Sequence, residues 1–137
     1  MRFIDANVFI YAFYKPKKRL TEKEKWMKEE SKKIIKRITE GEEEVLTTVV
    51  HISEVVNYLK KSMDAKSLQR LLIDFYSLDS LEIVGVSPED YFSAISLMED
   101  VGLDANDCLA IKIMEDYGIS EIYSFDKGFE KIVKRLP

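Results

Sequence analysis

Short apolar runs alternate along this chain with longer amphipathic segments, and this alternation restricts the folds that the chain can adopt. The short runs have the length of β-strands and cover residues 3–4, 45–48, 81–86 and 119–125. Hydrophobic residues recur at helical spacing over residues 21–40, 51–61, 65–78, 88–101 and 105–117. Strands that alternate with helices are typical of a mainly parallel sheet with helices on its faces. We therefore predict an α/β fold with such a central sheet.

Capping signals support the predicted helices. Thr21 is followed three residues later by Glu24, which is the spacing of a capping box, and Gly41 is a natural helix stop. Pro88 suits the first turn of a helix, where its missing N–H is not needed. These signals fix where the helices begin and end more firmly than hydrophobic spacing alone.

The length and composition fit one domain. The chain has 137 residues, of which 46% are hydrophobic, and this is enough for a buried core. No apolar run approaches the about 20 residues that a membrane-spanning helix needs. One cysteine and one histidine exclude a disulfide framework and a Cys/His zinc site. We expect a single domain over residues 1–137 that has no membrane association and resides in the cytoplasm.

Charge is distributed unevenly along the chain. Residues 15–37 contain eleven Lys and Arg against four Glu, a net charge of +7. The whole chain has a net charge of −4, so the other residues sum to −11. The basic stretch is either a solvated helix face or a surface for a polyanion. Lys and Glu together make up 31 of the 137 residues, a composition that favours a thermophilic source.

Two carboxylates directly follow predicted strands. Asp5 interrupts an apolar N-terminal stretch, and Asp126 follows the run that ends at Phe125. Ligands of open α/β sheets bind beyond the carboxyl ends of the strands, so both residues are candidates for a shared site. Local alternatives exist for each, because Asp5 can cap a helix and Asp126 can stabilise a turn.

Three further acidic residues have both a local and a functional interpretation. Asp104 can cap the helix over residues 105–117, and Asp107 suits its first turn, where the helix dipole favours a negative charge. Glu54 lies off the main apolar stripe of its helix, which is the position of an ordinary solvated residue. If that side of the helix meets the sheet edge, Glu54 joins the same acidic group.

These residues together resemble the PIN-domain family. The opening FIDANVFIYA resembles its D-x-N start, and LTTVVHISEVVNYL resembles its second block, which is centred on one Glu. VGLDANDCLAIKIMEDYGISEIYSFDKGFEKI resembles the last two blocks. The matches occur in order over nearly the whole chain, and the subgroup most like it is the small archaeal and bacterial VapC-type ribonucleases. The resemblance implies a three-layer α/β/α fold.

The resemblance also implies a metal-dependent endoribonuclease that cleaves single-stranded RNA. Its pocket of Asp5, Glu54, Asp107 and Asp126 would bind Mg²⁺ or Mn²⁺, hard ions that prefer oxygen ligands. Asn7 would orient a ligand or a metal-bound water, and Ser124 would support the pocket through its hydroxyl. Asp104 departs from the pattern as an additional carboxylate. The resemblance further implies an antitoxin partner and a homodimer.

The basic stretch supplies candidate RNA contacts. Some positive surface should guide a polyanion to an acidic pocket, and the rest of the chain is net negative. The candidates are Lys17, Lys18, Arg19, Lys25 and Lys28.

Other functions remain open at this point. A catalytically silent PIN-like scaffold or an RNA-maturation nuclease would share the same fold. A receiver domain lacks support because Asp5 has no acidic neighbour, and a D-x-D phosphatase lacks support because the motif here is Asp5-Ala6-Asn7. His51 is expected to be a polar helix residue rather than a catalytic base, and Cys108 a core residue.

Overall fold

The structure is a computed structural model that describes residues 1–137. It contains five strands, six α-helices and one short 3₁₀ helix. The strands are β1 (Arg2–Ile4), β2 (Val45–Thr48), β3 (Leu81–Val84), β4 (Glu121–Tyr123) and β5 (Lys134–Leu136). The helices are α1 (Ala6–Phe13), α2 (Glu22–Thr39), α3 (Val49–Leu59), α4 (Ala65–Ser77), α5 (Pro88–Val101) and α6 (Ala105–Tyr117), and the 3₁₀ helix covers Lys127–Lys131.

All strands of the sheet run parallel, in the order β3-β2-β1-β4-β5. The central strand β1 pairs Phe3 with Leu46 of β2 on one side and with Ile122 of β4 on the other. Strands β2 and β3 therefore lie on one side of β1, and the later strands β4 and β5 lie on the other side. The gap between β1 and β4 is the topological switch point, where sheets of this type bind ligands.

Two hydrophobic clusters cover the two faces of the sheet, so the fold has three α/β/α layers as predicted. Alternate strand residues point to opposite faces, as the period of a strand requires. One face presents Ile4, Val45, Leu81 and Tyr123 to α1, α2, α3 and α4. The other face presents Phe3, Leu46, Val84 and Ile122 to α5 and α6. Cys108 is fully buried in the second cluster, which confirms its expected core position.

The capping signals agree with the structure. Thr21 and Glu24 form the reciprocal capping box of α2, with Thr21 Oγ1 accepting from the Glu24 N–H at 3.1 Å. Pro88 occupies the first turn of α5. Helix α1 was expected only as the local alternative in which Asp5 caps a helix, because it is apolar on most sides and shows no polar stripe.

Several predicted boundaries are wrong by a few residues, for identifiable reasons. The predicted helix over residues 51–61 begins at Val49, because the Thr48 hydroxyl already accepts the N–H groups of Val50 and His51. The predicted strand over residues 119–125 is β4, which is shorter. Before it, Ile119 donates its N–H to Met114 and so closes helix α6. The predicted strand over residues 81–86 ends at Val84.

The strand β5 went unpredicted. It covers only three residues, two of which are Lys134 and Arg135, and it lies at the edge of the sheet. Short, charged edge strands are common in native sheets because they discourage pairing with other chains, and their composition hides them from pattern analysis. No helix of the structure is both long enough and apolar enough to span a bilayer.

Candidate active site

Asp5 and Ser124 face each other across the switch point of the sheet. Asp5 directly follows β1 and caps α1, accepting the Ala6 N–H at 2.9 Å through Oδ1. Its other oxygen, Oδ2, accepts the Ser124 hydroxyl at 2.7 Å, and Ser124 directly follows β4. The cap predicted as a local alternative and the predicted position at the sheet edge therefore both occur in one side chain.

The Ser124 hydroxyl joins three segments. While it donates to Asp5, its oxygen accepts the Asp126 N–H at 3.0 Å and the Asn7 amide Nδ2 at 3.3 Å. Asn7 also accepts the Phe125 N–H through Oδ1 at 3.3 Å. Ser124 still donates its backbone N–H to the Leu136 carbonyl oxygen of β5 at 2.8 Å, so these side-chain bonds form directly at the end of the sheet. Ser124 and Asn7 thus hold the turn that carries Asp126 against the start of α1.

Asp5 is a destabilised carboxylate in this environment. It is only 5% exposed. Burial raises the pKa of its carboxyl from 3.8 to about 6, with the negative charges of Glu54 and Asp126 adding to the increase, although the hydrogen bonds from Ser124 and Ala6 oppose it. A carboxyl group with this pKa exchanges its proton close to neutral pH.

Asp107 carries the most strongly raised pKa among the acidic residues. It lies in the first turn of α6, and Asp104 caps that helix by accepting the Asp107 N–H at 2.9 Å. Partial burial, together with the negative charges of Asp5, Asp104 and Asp126, raises the pKa of Asp107 from 3.8 to about 8. Its carboxyl is also within hydrogen-bonding reach of Asp126. Asp104 is exposed, so its observed role is that of the cap.

Asp126 is presented to Asp107 by a tight turn. Its Oδ1 accepts the Gly128 N–H at 2.8 Å, which is the turn interaction expected from the Asp-Lys-Gly sequence. The side chain is solvent-exposed and negatively charged next to Asp5 and Asp107.

Glu54 is half-buried rather than solvated. Its Oε1 accepts the Asn106 amide at 2.6 Å, and Asn106 Oδ1 in turn accepts the Tyr91 hydroxyl at 2.5 Å. Burial raises the pKa of Glu54, the hydrogen bond from Asn106 opposes this, and the charge of Asp104 raises it further. Asn106 and Tyr91 went unpredicted as site residues. The sequence signal that could have indicated Asn106 is its position in Asp-Ala-Asn-Asp, between Asp104 and Asp107 in the first turn of α6.

His51 is part of the supporting structure. It is 1% exposed, its Nδ1 lies 2.7 Å from the Thr48 hydroxyl, and its Nε2 lies 3.2 Å from the Asn106 carbonyl oxygen. Burial lowers the pKa of its imidazole to about 4, so the ring is neutral at physiological pH. Both ring nitrogens are occupied, which agrees with the expectation that His51 is no catalytic base.

We call Asp5, Glu54, Asp107 and Asp126 the acidic cluster. As the side chains stand, no three or more Asp, Glu, His or Cys groups are arranged to hold a metal ion. The cluster nevertheless suits Mg²⁺ or Mn²⁺ chemically, because it supplies only oxygen donors with a surplus of negative charge. Mg²⁺ keeps several of its waters and is commonly held by one or two carboxylates, so a closed cage of side chains is not required.

The basic candidates occupy different environments. Lys28 Nζ donates to the carbonyl oxygens of Tyr11 and Tyr14, at 3.2 and 2.8 Å, and so satisfies the end of α1. Lys25 forms an exposed ion pair with Glu22 at 3.3 Å. The remaining three, which are exposed and have no ion pair, are Lys17, Lys18 and Arg19.

Comparison with known proteins agrees with this arrangement. The family model of the PIN domain matches residues 2–135. A crystal structure of Mycobacterium tuberculosis VapC20, described as a toxin that cleaves the sarcin–ricin loop, superposes with a TM-score of 0.72 at 13% identity, covering 96% of this chain and 94% of that one. A toxin–antitoxin complex from Klebsiella pneumoniae superposes with a TM-score of 0.68 at 16% identity, covering 100% and 97%. No curated protein matches the chain significantly in sequence.

Proposed function

Because the chain belongs to the PIN domain family, we propose that it is a metal-dependent endoribonuclease acting on single-stranded RNA. The observation that carries the proposal is the raised pKa of two carboxyl groups at the switch point of the sheet, Asp5 and Asp107, to which burial and the neighbouring charge of Asp126 both contribute. Carboxylates held close together without a compensating cation reduce the stability of the folded state. A functional cation site explains why the fold retains them.

In this proposal Asp5, Asp107, Asp126 and Glu54 would hold Mg²⁺ or Mn²⁺. The ion supplies activation of water and stabilisation of the charge that develops on the phosphate. The protein contributes preorganisation. Ser124 fixes one oxygen of Asp5, so this carboxylate does not reorient when the substrate arrives.

Glu54 is suited to hold a proton during the reaction. The Asn106 amide occupies Oε1, which leaves Oε2 as the oxygen that accepts or releases the proton. Its raised pKa brings this exchange closer to neutral pH than for an ordinary glutamate.

We further propose that the protein is the toxin of a toxin–antitoxin pair, acting in the cytoplasm and forming a homodimer. Two structurally similar proteins support the toxin assignment, since one is described as a sarcin–ricin loop cleaving toxin and the other as a toxin–antitoxin complex. An antitoxin partner would be encoded by a short neighbouring reading frame. An RNA-maturation nuclease is the alternative if no such frame exists.

Cleavage of fluorescent single-stranded RNA with Mn²⁺, compared with the same reaction in EDTA, tests the proposal. Asp107→Asn is expected to abolish cleavage while retaining the fold, because it removes a charge from the acidic cluster. Asp104→Asn is the matched control, since Asn is also a good helix cap and Asp104 lies at the edge of the cluster. RNA binding without any Mn²⁺-dependent cleavage by the wild type would instead identify a catalytically silent scaffold. Equal inactivity of both folded variants would contradict the assigned roles.

A further inference from the structure

A cavity of the protein begins at Asn7, beside the acidic cluster. Its volume is about 790 Å³, within the range of pockets that bind small organic ligands. It lies between α1, the N-terminal part of α2 and the C-terminal end of α3, under the connecting residues 14–20. Asn7 contacts Ser124, which contacts Asp5, so only two side chains separate this cavity from the acidic cluster.

The cavity is positively charged although the protein is not. Lys15, Lys17, Lys18 and Lys61 line it, all are exposed, and none forms an ion pair within the protein. The single acidic residue of the lining, Glu24, is engaged in the capping box of α2. Four free cations on a chain of net charge −4 form a local attraction for anions.

Aromatic rings line the same cavity. Tyr14 and Tyr58 are in edge-to-face contact with their centroids 4.9 Å apart, and Tyr11 lies next to them along α1. Tyr58 is 41% exposed, so part of its ring is open to solvent. The ammonium of Lys61 lies 4.7 Å from the Tyr58 ring centroid, so one cation and one ring are adjacent. Cations interleaved with exposed rings are the combination that binds single-stranded nucleic acid.

We propose that this cavity, which we call the tyrosine–lysine groove, binds the nucleotides of single-stranded RNA that flank the cleaved bond. A base stacks on Tyr58, and phosphates contact Lys17, Lys18 and Lys61. The proposal rests on the proposed function, because it places these nucleotides next to the acidic cluster. Single-stranded RNA fits better than an acidic peptide, since carboxylates would use the cations but not the exposed ring of Tyr58.

Equilibrium binding in EDTA tests the ring, because the wild-type protein then binds without cleaving. The probes are fluorescein-labelled oligoadenylate and an abasic ribose-phosphate strand of equal length, measured by fluorescence anisotropy. Tyr58→Ala is expected to weaken oligoadenylate binding about 5- to 150-fold and to leave the abasic strand unaffected. Tyr58→Phe retains the ring and should bind normally. Tyr117→Ala, at an exposed tyrosine of α6 outside the groove, is the matched control.

The salt dependence of binding tests the cations. Each neutralised phosphate of a single strand contributes about −0.7 to the slope of log affinity against log salt. The double variant Lys17→Glu/Lys18→Glu should therefore reduce the steepness of this slope by about 1.4. Lys32→Glu/Lys36→Glu makes the same charge change at exposed positions of α2 outside the groove and should leave the slope within experimental error.

The outcomes separate this inference from the proposed function. Unchanged affinity and slope in the groove variants, with RNA cleavage intact, would overturn the groove and leave the nuclease standing. If the groove variants lose RNA binding while the wild-type protein binds RNA without cleaving it, the groove is supported and the nuclease proposal is wrong. If the groove variants lose binding to polyglutamate but not to RNA, the surface recognises acidic protein and the inference is wrong.

Discussion

Asp5→Asn is expected to stabilise the metal-free protein at neutral pH and to lose most of the stabilisation that a bound metal ion gives the wild type. The pKa of Asp5 rises from 3.8 in its ordinary state to about 6 in the fold. Over this interval the folded protein keeps a proton that the unfolded chain has released. The contribution of this raised pKa to the free energy of unfolding is fully present below pH 3.8 and is lost as the pH rises through 6. Because Asn cannot ionise, the free energy of unfolding of the variant does not decrease with pH for this reason.

The magnitude follows from the two pKa values. At about 1.4 kcal/mol per pH unit, the change from 3.8 to about 6 corresponds to about 3 kcal/mol over the full range. Linkage assigns about 1.4 kcal/mol of this to the interval between pH 5 and pH 8. Asp107, with a pKa of about 8, extends the decrease to higher pH, but solvent screening reduces its contribution because it is only partly buried.

The difference between variant and wild type isolates Asp5 from an opposing group. Buried His51 is neutral in the fold with a pKa of about 4, whereas the unfolded imidazole titrates near 6.5. Stability from this depressed pKa decreases as the pH falls below about 6.5, opposite in sign to the effect of Asp5. Both proteins contain His51, so its contribution cancels in the difference.

Urea denaturation monitored by circular dichroism in EDTA, at intervals from pH 5 to pH 8, provides the measurement. The free energy of unfolding of Asp5→Asn minus that of wild type should increase by about 1.4 kcal/mol across this range. Adding Mn²⁺ at about 100 times its dissociation constant should stabilise the wild type by about 2.7 kcal/mol and the variant far less. A difference that does not vary with pH, or equal stabilisation of both proteins by Mn²⁺, would refute this reasoning.

Two further predictions concern residues that support the sheet ends. Asn106→Ala should lower kcat with little change in KM, because Glu54 loses the donor that fixes Oε1. Tyr117→Ala is the control. An unchanged kcat in Asn106→Ala would exclude a positioning role for Asn106. Glu43→Gln, at the opposite end of the sheet, should reduce the free energy of unfolding by about 2 kcal/mol while kcat stays normal, because Glu43 accepts bonds from Arg2, Arg37 and Tyr123. Loss of cleavage by a folded Glu43→Gln protein would contradict the second.

The sequence predicts the layers of this fold well because those depend on regular signals. The run over residues 45–48 is apolar, directly precedes a helical stripe and forms β2 as predicted. The segments without such a signal are those governed by tertiary contacts. Helix α1 is buried against α2 and α3 and needs no polar face, whereas β5 is held by its pairing with β4 despite its charges.

The acidic residues show why local sequence signals are insufficient for a site. Asp5, Asp104 and Asp126 each accept a nearby backbone N–H, so the local interpretation of each as a cap or turn residue is correct. Only the order of strands brings Asp5, Asp107 and Asp126 into one electrostatic group. The hydrogen bond between Asn106 and Glu54 depends on the packing of α3 against the start of α6, which no spacing in the sequence encodes.

This double use of Asp5 determines which substitution is informative. Asp5→Ala would remove both the α1 cap and the carboxylate, and a buried cap alone is worth about 1 kcal/mol, so lost activity could reflect a damaged fold. Asn retains an oxygen that can accept the Ala6 N–H; it removes the charge and replaces the oxygen that accepts the Ser124 hydroxyl by an N–H donor. The acidic cluster is costly to the metal-free fold because of charge rather than shape. Isosteric Asp→Asn variants, measured with and without metal, therefore separate what these residues contribute to folding from what they contribute to a cation site.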